Sequence, residues 1–461
     1  MLNQLPRPHI NGNIFPAIPD ANASTQLALQ YQLENSQWWS YEVLRDVQFR
    51  QLQDLVNHAA STVPYYQQLF SQLQIAIPDQ LTPIFFETIP ISTRSTVQHA
   101  GDLLQSRYIP VDHGVSQLST TSGSTGRPVK FARTGLTQTL WLAFALREHL
   151  WQSRDFSKKL CAIRWFPRGT AEAPAGIHYP TWGPIVAPVF ESGPSASLNV
   201  VSTLQQQVDW LRKEKPDYLV SFPSNLVALS NYVIANHIKL PPLREIRTIG
   251  ETVTERSRLL IQNVWQAKLV DVYSCEEAGY LALQCPETGC YHIQSENVFL
   301  EIVDEAGRPC QPGKMGRVLI TTLHNYATPL IRYDIGDWAE LGEKCSCGRG
   351  LPVINKIHGR SRNRLVLPSG DNLFPYLGEH GQITEATGVQ VHQFQCIQHS
   401  TVHIELKLVA DRELSVEEQA KVAAIMQKNL GYPFDIRFSF VNDIPRSRTG
   451  KFEEFISHIA L

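Results

Sequence analysis

One loop sequence, from Thr120 to Lys130, constrains this chain more than any other segment. It reads Thr-Thr-Ser-Gly-Ser-Thr-Gly-Arg-Pro-Val-Lys, which places hydroxyls and two glycines before a proline and a cation. Glycine lets the backbone approach a ligand closely, and consecutive N–H groups in such a loop form a concavity that binds anions. The segment therefore predicts a polyphosphate-binding loop, with a flexible surface loop as the alternative. It is not a Walker A loop, which requires Lys-Ser/Thr directly after its last glycine.

The composition is typical of a soluble globular protein with more than one domain. The chain has 461 residues, of which 43% are hydrophobic and 18% charged, and its net charge is -2. That length suits two or three domains, and the small net charge gives no reason to expect nucleic acid or an anionic membrane as a partner. The best apolar run, residues 140–146, is too short to span a membrane. Residues 1–19 lack the pattern of a secretory signal, so we expect a cytoplasmic protein.

Hydrophobic periodicity predicts helices at the start of the chain and α/β layers after it. Apolar side chains recur on one helical face at Phe49, Leu52, Leu55, Val56 and Ala59. From about residue 105, short apolar runs alternate with helical patterns, and residues 160–163, 218–220 and 318–321 are typical of buried strands. This alternation indicates an α/β fold.

The C-terminal part of the chain has a different pattern. It predicts strand, strand, helix and strand, in that order, over residues 394–397, 402–409, 415–430 and 436–440. Ser415 and Glu418 have the spacing of a capping box at the start of the helix. We therefore predict a separate small α+β domain, with domains at residues 1–358 and 359–461.

Two motifs place a carboxylate beside a glycine or an aromatic ring. Gly250-Glu251 follows an apolar run and precedes a helical pattern, and by itself it fits a helix N-terminus with an acidic first turn. In Tyr273-Ser-Cys-Glu-Glu277, the ring offers a face on which a base can stack, and a carboxylate can hold Mg²⁺ against phosphate oxygens. The alternative for this second motif is a strand end followed by an acidic helix start.

Three further motifs carry polar or basic groups. Arg332-Tyr-Asp-Ile-Gly-Asp337 ends in a carboxylate that can accept two hydrogen bonds from ribose hydroxyls, and a solvated turn is the alternative. A polar stretch around Arg360 lies at the predicted domain boundary. Residues 445–451 form a basic segment ending at Lys451, which alone would be interpreted as an exposed turn.

The cysteines fall partly into two clusters. Cys285, Cys290 and His292 form one cluster, and Cys345 and Cys347 form the other. In a cytoplasmic chain of this size, thiols or metal ligands are expected rather than a disulfide framework. Zn²⁺ takes four such ligands in a tetrahedron, and a closed set would be structural. Unrelated buried thiols beside an exposed histidine are the alternative.

These motifs occur in the order known from one superfamily. Residues 122–128 resemble the phosphate-binding loop of the adenylate-forming superfamily, which includes acyl-CoA synthetases, luciferases and the adenylation domains of peptide synthetases. The pattern Arg-Tyr-x-x-Gly-Asp at residues 332–337 is met without departure. Residues 63–66 and 89–92 further resemble the phenylacetate–CoA ligase branch, which includes coenzyme F390 synthetase-like and CapK-like proteins. The resemblance covers nearly the whole chain.

The resemblance implies a fold, a nucleotide site and two catalytic residues. The implied fold is a large multi-layer adenylation domain of mixed sheets and helices, followed by a small mobile α+β domain. Glu277 would hold Mg²⁺, and Lys451 would bridge the acyl carboxylate and the α-phosphate of ATP. Tyr273 would lie near adenine and Asp337 would hold ribose. The implied nucleotide-binding residues are Ser122, Gly123, Ser124, Thr125, Gly126, Lys130, Gly250, Glu251, Tyr273, Asp337 and Arg360.

The resemblance also selects four zinc ligands. Members of this branch often carry Cys and His at the positions of Cys285 and His292, followed later by a Cys-x-Cys-Gly-Arg run. That selects Cys285, His292, Cys345 and Cys347, with Cys290 as the alternative ligand.

The implied activity is ATP-dependent activation of a carboxylic acid to an acyl-adenylate, followed by transfer to coenzyme A. Aromatic residues of the middle region, such as Trp165 and Phe222, suit an aromatic or apolar acid, although such residues are also common in cores. Asn363 and Glu454 depart from the pattern of most members, so an amine or a carrier-protein thiol stays open as the acceptor. A non-catalytic nucleotide-binding relative and a zinc scaffold also stay open as functions.

Overall fold

The computed structural model describes residues 5–120, 129–379, 381–447 and 449–459. These residues form an α/β protein in two compact units. The first unit comprises Met1–Ser157, Pro180–Gly193 and Val272–Ile357. The second unit comprises Lys158–Tyr179, Pro194–Asp271 and His358–Leu461.

The helices of the described residues begin mostly at polar caps. They are α1 Ala21–Ser36, α2 Tyr41–Thr62, α3 Pro64–Gln72, α4 Pro83–Thr88, α5 Arg94–Ala100, α6 Gly135–Trp151, α7 Leu204–Glu214, α8 Pro223–Ala235, α9 Glu255–Trp265, α10 Gln382–Thr387 and α11 Val416–Leu430. A Ser, Thr or Asp side chain at the cap accepts a hydrogen bond from an N–H that the helix itself leaves unpaired. At α11 the predicted capping box of Ser415 and Glu418 is confirmed.

The strands confirm the predicted alternation. They are β1 Gln117–Thr120, β2 Lys130–Arg133, β3 Leu160–Arg164, β4 Ile177–Tyr179, β5 Ser195–Asn199, β6 Tyr218–Ser221, β7 Glu245–Thr248, β8 Lys268–Cys275, β9 Gly279–Gln284, β10 Tyr291–Ile293, β11 Val298–Val303, β12 Met315–Thr322, β13 Tyr333–Leu341, β14 Val353–Arg360, β15 Leu365–Val366, β16 Asn372–Leu373, β17 Val391–Gln398, β18 His403–Ala410, β19 Asp435–Phe440 and β20 Phe455–Ser457. The buried strands predicted at residues 160–163, 218–220 and 318–321 are β3, β6 and β12.

The first unit packs helices against a twisted sheet. The strand order is β11-β12-β13-β14-β10-β9-β8, to which β8 contributes residues 272–275. The predicted apolar face of α2 is buried in the core of this unit, together with side chains from β12 and β13. A separate antiparallel hairpin pairs β1 with β2.

The second unit contains a parallel sheet. Its strand order is β4-β5-β3-β6-β7-β8, with residues 268–271 of β8. All neighbours are parallel except β4, which pairs with β5 in the antiparallel sense. Helices α7, α8 and α9 connect successive parallel strands, as a crossover between parallel strands requires. The carboxyl ends of β3, β5, β6 and β7 therefore share one edge of the sheet.

The C-terminal part of the second unit is the predicted small α+β domain. Its sheet has the order β19-β18-β17-β20, with α11 packed against it over a core that includes Leu406, Val422 and Met426. The predicted domain boundary after residue 358 lies one residue from the point where Ile357 ends a stretch of the first unit. The compact second unit also includes residues 158–179 and 194–271, which the sequence assigns to the larger domain.

Within the described ranges, no helix is both long and apolar enough to cross a membrane.

A buried ion pair fixes the start of β13. Arg332 is 2% exposed, and its Nη2 lies 3.1 Å from Oε1 of Glu301. Its Nη1 donates to the carbonyls of Glu87 and Ile89 at 2.5 and 2.8 Å. Burial raises the pKa of Glu301, and the Arg332 guanidinium opposes that rise. The pair therefore connects β11, β13 and the segment after α4.

We expect Arg332→Ala to destabilise the first unit by about 3–5 kcal/mol, because it leaves the Glu301 carboxylate buried without its cation. Differential scanning calorimetry should record a lower Tm. The loss should shrink at acidic pH, since protonation removes the buried charge. Arg308→Ala is the control, because the Arg308–Asp304 pair is exposed at 78% and 36%, and its Tm should not change. Equal shifts for the two variants would contradict the assignment.

Candidate active site and metal site

Glu277 lines an open cleft of the first unit. Trp141 from α6 and His324, Asn325 and Thr322 from the end of β12 and beyond also line it. A Cβ on Gly279 would lie 3.0 Å from the Trp141 ring, so the glycine permits this close approach. The cleft thus presents a carboxylate among polar donors and acceptors, which suits a hydrated cation or a phosphate.

The adjacent carboxylate has a different partner. Glu276 is exposed and accepts a hydrogen bond from Nη2 of Arg133 at 2.8 Å. Of the two neighbouring acidic side chains, Glu277 is the one that lines the cleft. The position of Glu277 is compatible with the cation-binding role expected from the sequence, which stays a prediction.

Tyr273 and Asp337 are brought together on β8 and β13. The Tyr273 hydroxyl donates to Oδ2 of Asp337 at 3.0 Å, and both residues are buried. Asp334 in the same motif is paired with Arg317 at 3.1 Å and accepts from the N–H of Gly336. Two predicted nucleotide contacts therefore lie side by side, 64 residues apart in sequence.

The predicted phosphate loop falls mostly outside the described residues. That applies to Ser122, Gly123, Ser124, Thr125 and Gly126. Lys130 is described: it opens β2, pairs with Thr120 of β1, and is exposed.

The loop that carries Lys451, called the lysine loop from here on, lies at the carboxyl edge of the parallel sheet in the second unit. A Cβ on Gly450 would lie 2.8 Å from Cβ of Trp165, 3.2 Å from the Phe222 ring and 3.3 Å from Cγ1 of Val200. Those three residues directly follow β3, β6 and β5. Gly450 also has a φ of +80°, so both its conformation and its surroundings exclude a side chain. The backbone beside Lys451 is therefore in direct contact with the edge.

Lys451 lies beside the Gly250–Glu251 motif. Its Cε is 3.3 Å from the position that a Cβ on Gly250 would occupy, and Gly250 has a φ of +76°. Crevices at the carboxyl ends of parallel strands are where α/β proteins bind ligands. The structure thus brings together two motifs that are about 200 residues apart in sequence and places them at an edge suited to chemistry.

The Glu251 carboxylate binds the lysine loop. Its side chain is 8% exposed and accepts from the N–H of Phe452 at 2.6 Å. It also accepts from the N–H and the hydroxyl of Ser224, at 2.9 and 3.0 Å, and lies 3.9 Å from the Arg446 guanidinium. Burial raises the pKa of Glu251, while Arg446 and these donors oppose the rise. That Glu251 contacts the nucleotide stays a prediction.

The polar stretch around Arg360, at the predicted domain boundary, also bonds to residues that follow Lys451. Arg360 ends β14, and Arg362 donates to Glu453 at 2.6 Å. Asn363 donates through its side-chain amide to the carbonyl of Phe455. Asn363, which departs from the usual residue, therefore has a specific structural partner.

Sequence reasoning missed Ser224 as a partner of Glu251. Ser224 lies in the first turn of α8 and carries no motif that singles it out. Arg446 belongs to the basic segment, where the sequence alone gives it no role, and it donates to the Ser224 hydroxyl at 2.7 Å and to the Gly450 carbonyl at 3.1 Å. A pairing between distant segments leaves no local signal in one sequence.

The four selected metal ligands converge in the first unit. One ligand atom from each of Cys285, His292, Cys345 and Cys347 lies within 4.8 Å of the others. The Cys345 and Cys285 sulfurs are 3.9 Å apart, and the Cys347 sulfur is 3.3 Å from Nε2 of His292. A tetrahedron with Zn–S bonds of about 2.3 Å and Zn–N bonds of about 2.0 Å has ligand separations of about 3.5–3.8 Å. The residues present therefore fit Zn²⁺.

Surrounding groups affect the protonation and the orientation of these ligands. Burial lowers the pKa of His292 to about 4, so its imidazole is neutral at physiological pH. Its Nδ1 lies 3.4 Å from the carbonyl of Leu351, which leaves Nε2 toward the sulfurs. Burial raises the pKa of Cys347, and hydrogen bonds from Arg349 oppose this. The Arg349 guanidinium lies over the rings of Trp38 and Trp151, at 4.9 and 4.5 Å.

Cys290, the alternative ligand, is outside this group of four. Its sulfur lies 3.1 Å from the Thr288 hydroxyl, which is also 3.2 Å from the Cys345 sulfur. The geometry therefore favours the set selected from the sequence.

We expect the purified protein to contain about one zinc ion per chain by elemental mass spectrometry, with four ligands closing the site. Cys347→Ser should lose most of that metal and lower the Tm by about 5 °C or more, since one ligand is removed. Cys290→Ser is the matched control and should retain both the zinc and the Tm. Zinc lost from Cys290→Ser but kept in Cys347→Ser would show that the ligand set is wrong.

Comparisons with known proteins find ligases that are similar to this chain. A family model described as the CapK C-terminal domain matches residues 378–458. The phenylacetate–coenzyme A ligase of Pseudomonas putida is 25% identical over 382 residues, which cover 80% of this chain and 83% of that protein. The phenylacetate–coenzyme A ligase of Escherichia coli K12 is 24% identical over 435 residues, covering 88% of this chain and 93% of that protein.

Solved structures show the same fold. A crystal structure of 2-hydroxyisobutyryl-CoA ligase, in the postadenylation state with R3-HIB-AMP, superposes with a TM-score of 0.70 at 16% identity. The match covers 92% of this chain and 91% of that one. Relatives, fold and motif order together support an adenylate-forming ligase that is similar to the phenylacetate–CoA ligase-like branch of the adenylate-forming superfamily.

Proposed function

We propose that this ligase uses ATP to convert an aromatic or apolar carboxylic acid into an acyl-adenylate and pyrophosphate, and then transfers the acyl group to coenzyme A. The position of Lys451 is the observation on which this proposal depends. Its loop lies in contact with the carboxyl edge of the parallel sheet, beside Gly250. A protein that only bound a nucleotide would not need a lysine positioned in this way.

In the first step, a carboxylate oxygen of the acid bonds to the α-phosphorus of ATP. The bond from that phosphorus to the bridging oxygen breaks, and pyrophosphate leaves with its electron pair. Both reactants are anions, so positioning and charge neutralisation supply most of the catalysis. The Lys451 ammonium would bridge the carboxylate and the α-phosphate.

The remaining roles follow the chemistry of each side chain. Ser122, Gly123, Ser124, Thr125 and Gly126, with Lys130, would bind the β- and γ-phosphates. Mg²⁺, held by Glu277, would neutralise phosphate charge. Asp337 would accept from the ribose hydroxyls, with Tyr273 against adenine and fixed by its hydrogen bond to Asp337. Arg360 would complete the nucleotide contacts.

In the second step, the coenzyme A sulfur bonds to the acyl carbon after losing its proton to solvent. The bond from that carbon to the phosphate oxygen breaks, and AMP leaves with the electron pair. Crystal structures of 2-hydroxyisobutyryl-CoA ligase contain an acyl-AMP together with CoA, which supports CoA as the acceptor here.

The wall beside the lysine loop supports an aromatic or apolar acid. Trp165 and Phe222 lie beside Gly450, and Trp165 is 41% exposed. An exposed indole at this edge offers a face to an apolar or aromatic group.

The Zn²⁺ proposed for the Cys285, His292, Cys345 and Cys347 set is structural, because four protein ligands leave no open position.

The first test is acid-dependent pyrophosphate release, measured with Mg-ATP over a panel of aryl and alkyl acids that includes phenylacetate. Lys451→Ala should lower the rate by about 10²- to 10³-fold, because it removes a preorganised charge from the transition state. Its affinity for a non-hydrolysable ATP analogue, measured by calorimetry, should stay within about threefold of wild type. Lys421→Ala, an exposed lysine on α11, is the control. Normal adenylation by Lys451→Ala would refute the role of that residue.

The same assay with and without coenzyme A decides the acceptor. Formation of an acyl-CoA supports the proposal. Adenylate formation without coenzyme A consumption would instead favour an amine or a carrier-protein thiol. No release with any acid of the panel would contradict the proposed activity for those acids and favour a non-catalytic nucleotide-binding protein.

A further inference from the structure

The five residues from Lys451 to Phe455 are bound by residues from two other parts of the second unit. The Phe452 N–H and the Glu454 carboxylate bond to Glu251 and Arg256, which follow β7. Glu453 and the Phe455 carbonyl bond to Arg362 and Asn363, which follow β14. The segment is thus fastened by two separate sets of contacts.

Arg256 connects the β7 side to the C-terminal part of the second unit. It lies in the first turn of α9, and its side chain is 7% exposed. Its guanidinium forms an ion pair with Glu454 and donates to the carbonyl of Gly378 at 2.5 Å. It also lies over the Phe394 ring, 5.8 Å from the ring centroid. All three partners belong to residues 358–461, so one buried cation fastens the C-terminal segment at three points.

We propose that Arg256 and Glu454 are a positioning pair that holds Lys451 in register with Gly250 for adenylate formation. Glu454 lies three residues after Lys451, and the Glu251–Phe452 hydrogen bond lies between them. The ion pair of Glu454 and the hydrogen bond of Phe452 therefore fix the residues that follow Lys451, which limits the positions that the Lys451 side chain can reach. Neither partner touches the reacting atoms. The catalytic consequence of this proposal rests on the proposed function of Lys451. The geometric part, that the pair holds the segment after Lys451, does not depend on that function.

A charge pair is suited to this task. A buried guanidinium fixes its partner in direction as well as distance, since its donors form a rigid fork. Removing one member leaves the other charge poorly solvated, which weakens the arrangement strongly. Glutamine in place of either residue keeps the approximate length of the side chain and removes the charge.

The geometric part is tested by hydrogen exchange on the full chain, in wild type, Arg256→Gln, Glu454→Gln and the double variant. Exchange of the Phe452 amide region should rise by about tenfold or more in each variant, with the double variant no faster than the worse single one, because the pair acts as a unit. Arg258→Gln is the matched control, because Arg258 lies on the same helix and donates to the Leu269 carbonyl. Unchanged exchange in Arg256→Gln and Glu454→Gln would overturn the proposal.

The catalytic part is tested by separating the two steps. With an acid that supports pyrophosphate release, the kcat for adenylation should fall about tenfold or more in either variant, and Arg256→Lys should recover part of the loss. Consumption of chemically prepared phenylacetyl-adenylate with coenzyme A should be within about threefold of wild type, because Lys451 acts in the first step only. Equal losses in both steps would overturn the positioning role and indicate general structural damage.

The two proposals fail in different ways. If wild type releases no pyrophosphate with any acid, the proposed function fails, and the exchange measurement still decides whether the pair holds the lysine loop. If wild type is active but the variants retain full adenylation, the positioning proposal fails while the function stands.

Discussion

The buried carboxylate of Glu251 is the interaction on which the second unit depends. A carboxylate taken out of water needs donors, because an unpaired one costs several kcal/mol. Glu251 obtains them from Ser224 at the start of α8 and from Phe452 in the C-terminal segment. Residues that are 201 positions apart are thereby held together by a polar requirement and not by apolar packing alone. Because this carboxylate needs hydrogen-bond donors, it holds the lysine loop in its observed position.

Periodic elements could be predicted because periodicity reports burial directly. The apolar face of α2, the strands β3, β6 and β12, and the strand-strand-helix-strand pattern from β17 to β19 are all confirmed. β20 was missed, since a three-residue strand contains too few positions for a period to be visible. It exists because it pairs in parallel with β17, and pairing between strands about 60 residues apart is a property of the fold and not of the local sequence.

The two candidate sites differ in how far sequence could identify them. The two cysteine clusters predict a metal site, the resemblance selects Cys285, His292, Cys345 and Cys347, and the fold brings these four together. Spacing could not separate Cys290 from the others, because that choice depends on the direction of each sulfur. Near Lys451 the sequence supplied the motifs but not the contacts of Ser224 and Arg256, because neither residue belongs to a motif that signals a distant partner.

Gly450 has a consequence for the solvent around the lysine. A single Cβ at this position would overlap the Cβ of Trp165 and crowd the Phe222 ring, so the loop lies against these two residues without space for a water molecule between them. An acyl-adenylate is a mixed anhydride, which water hydrolyses. Close contact of this glycine with Trp165 and Phe222 would therefore shield such an intermediate on this side, in the way that closed active sites suppress unproductive hydrolysis. The smallest residue of the loop would then contribute to the yield of the reaction as well as to the position of its cation.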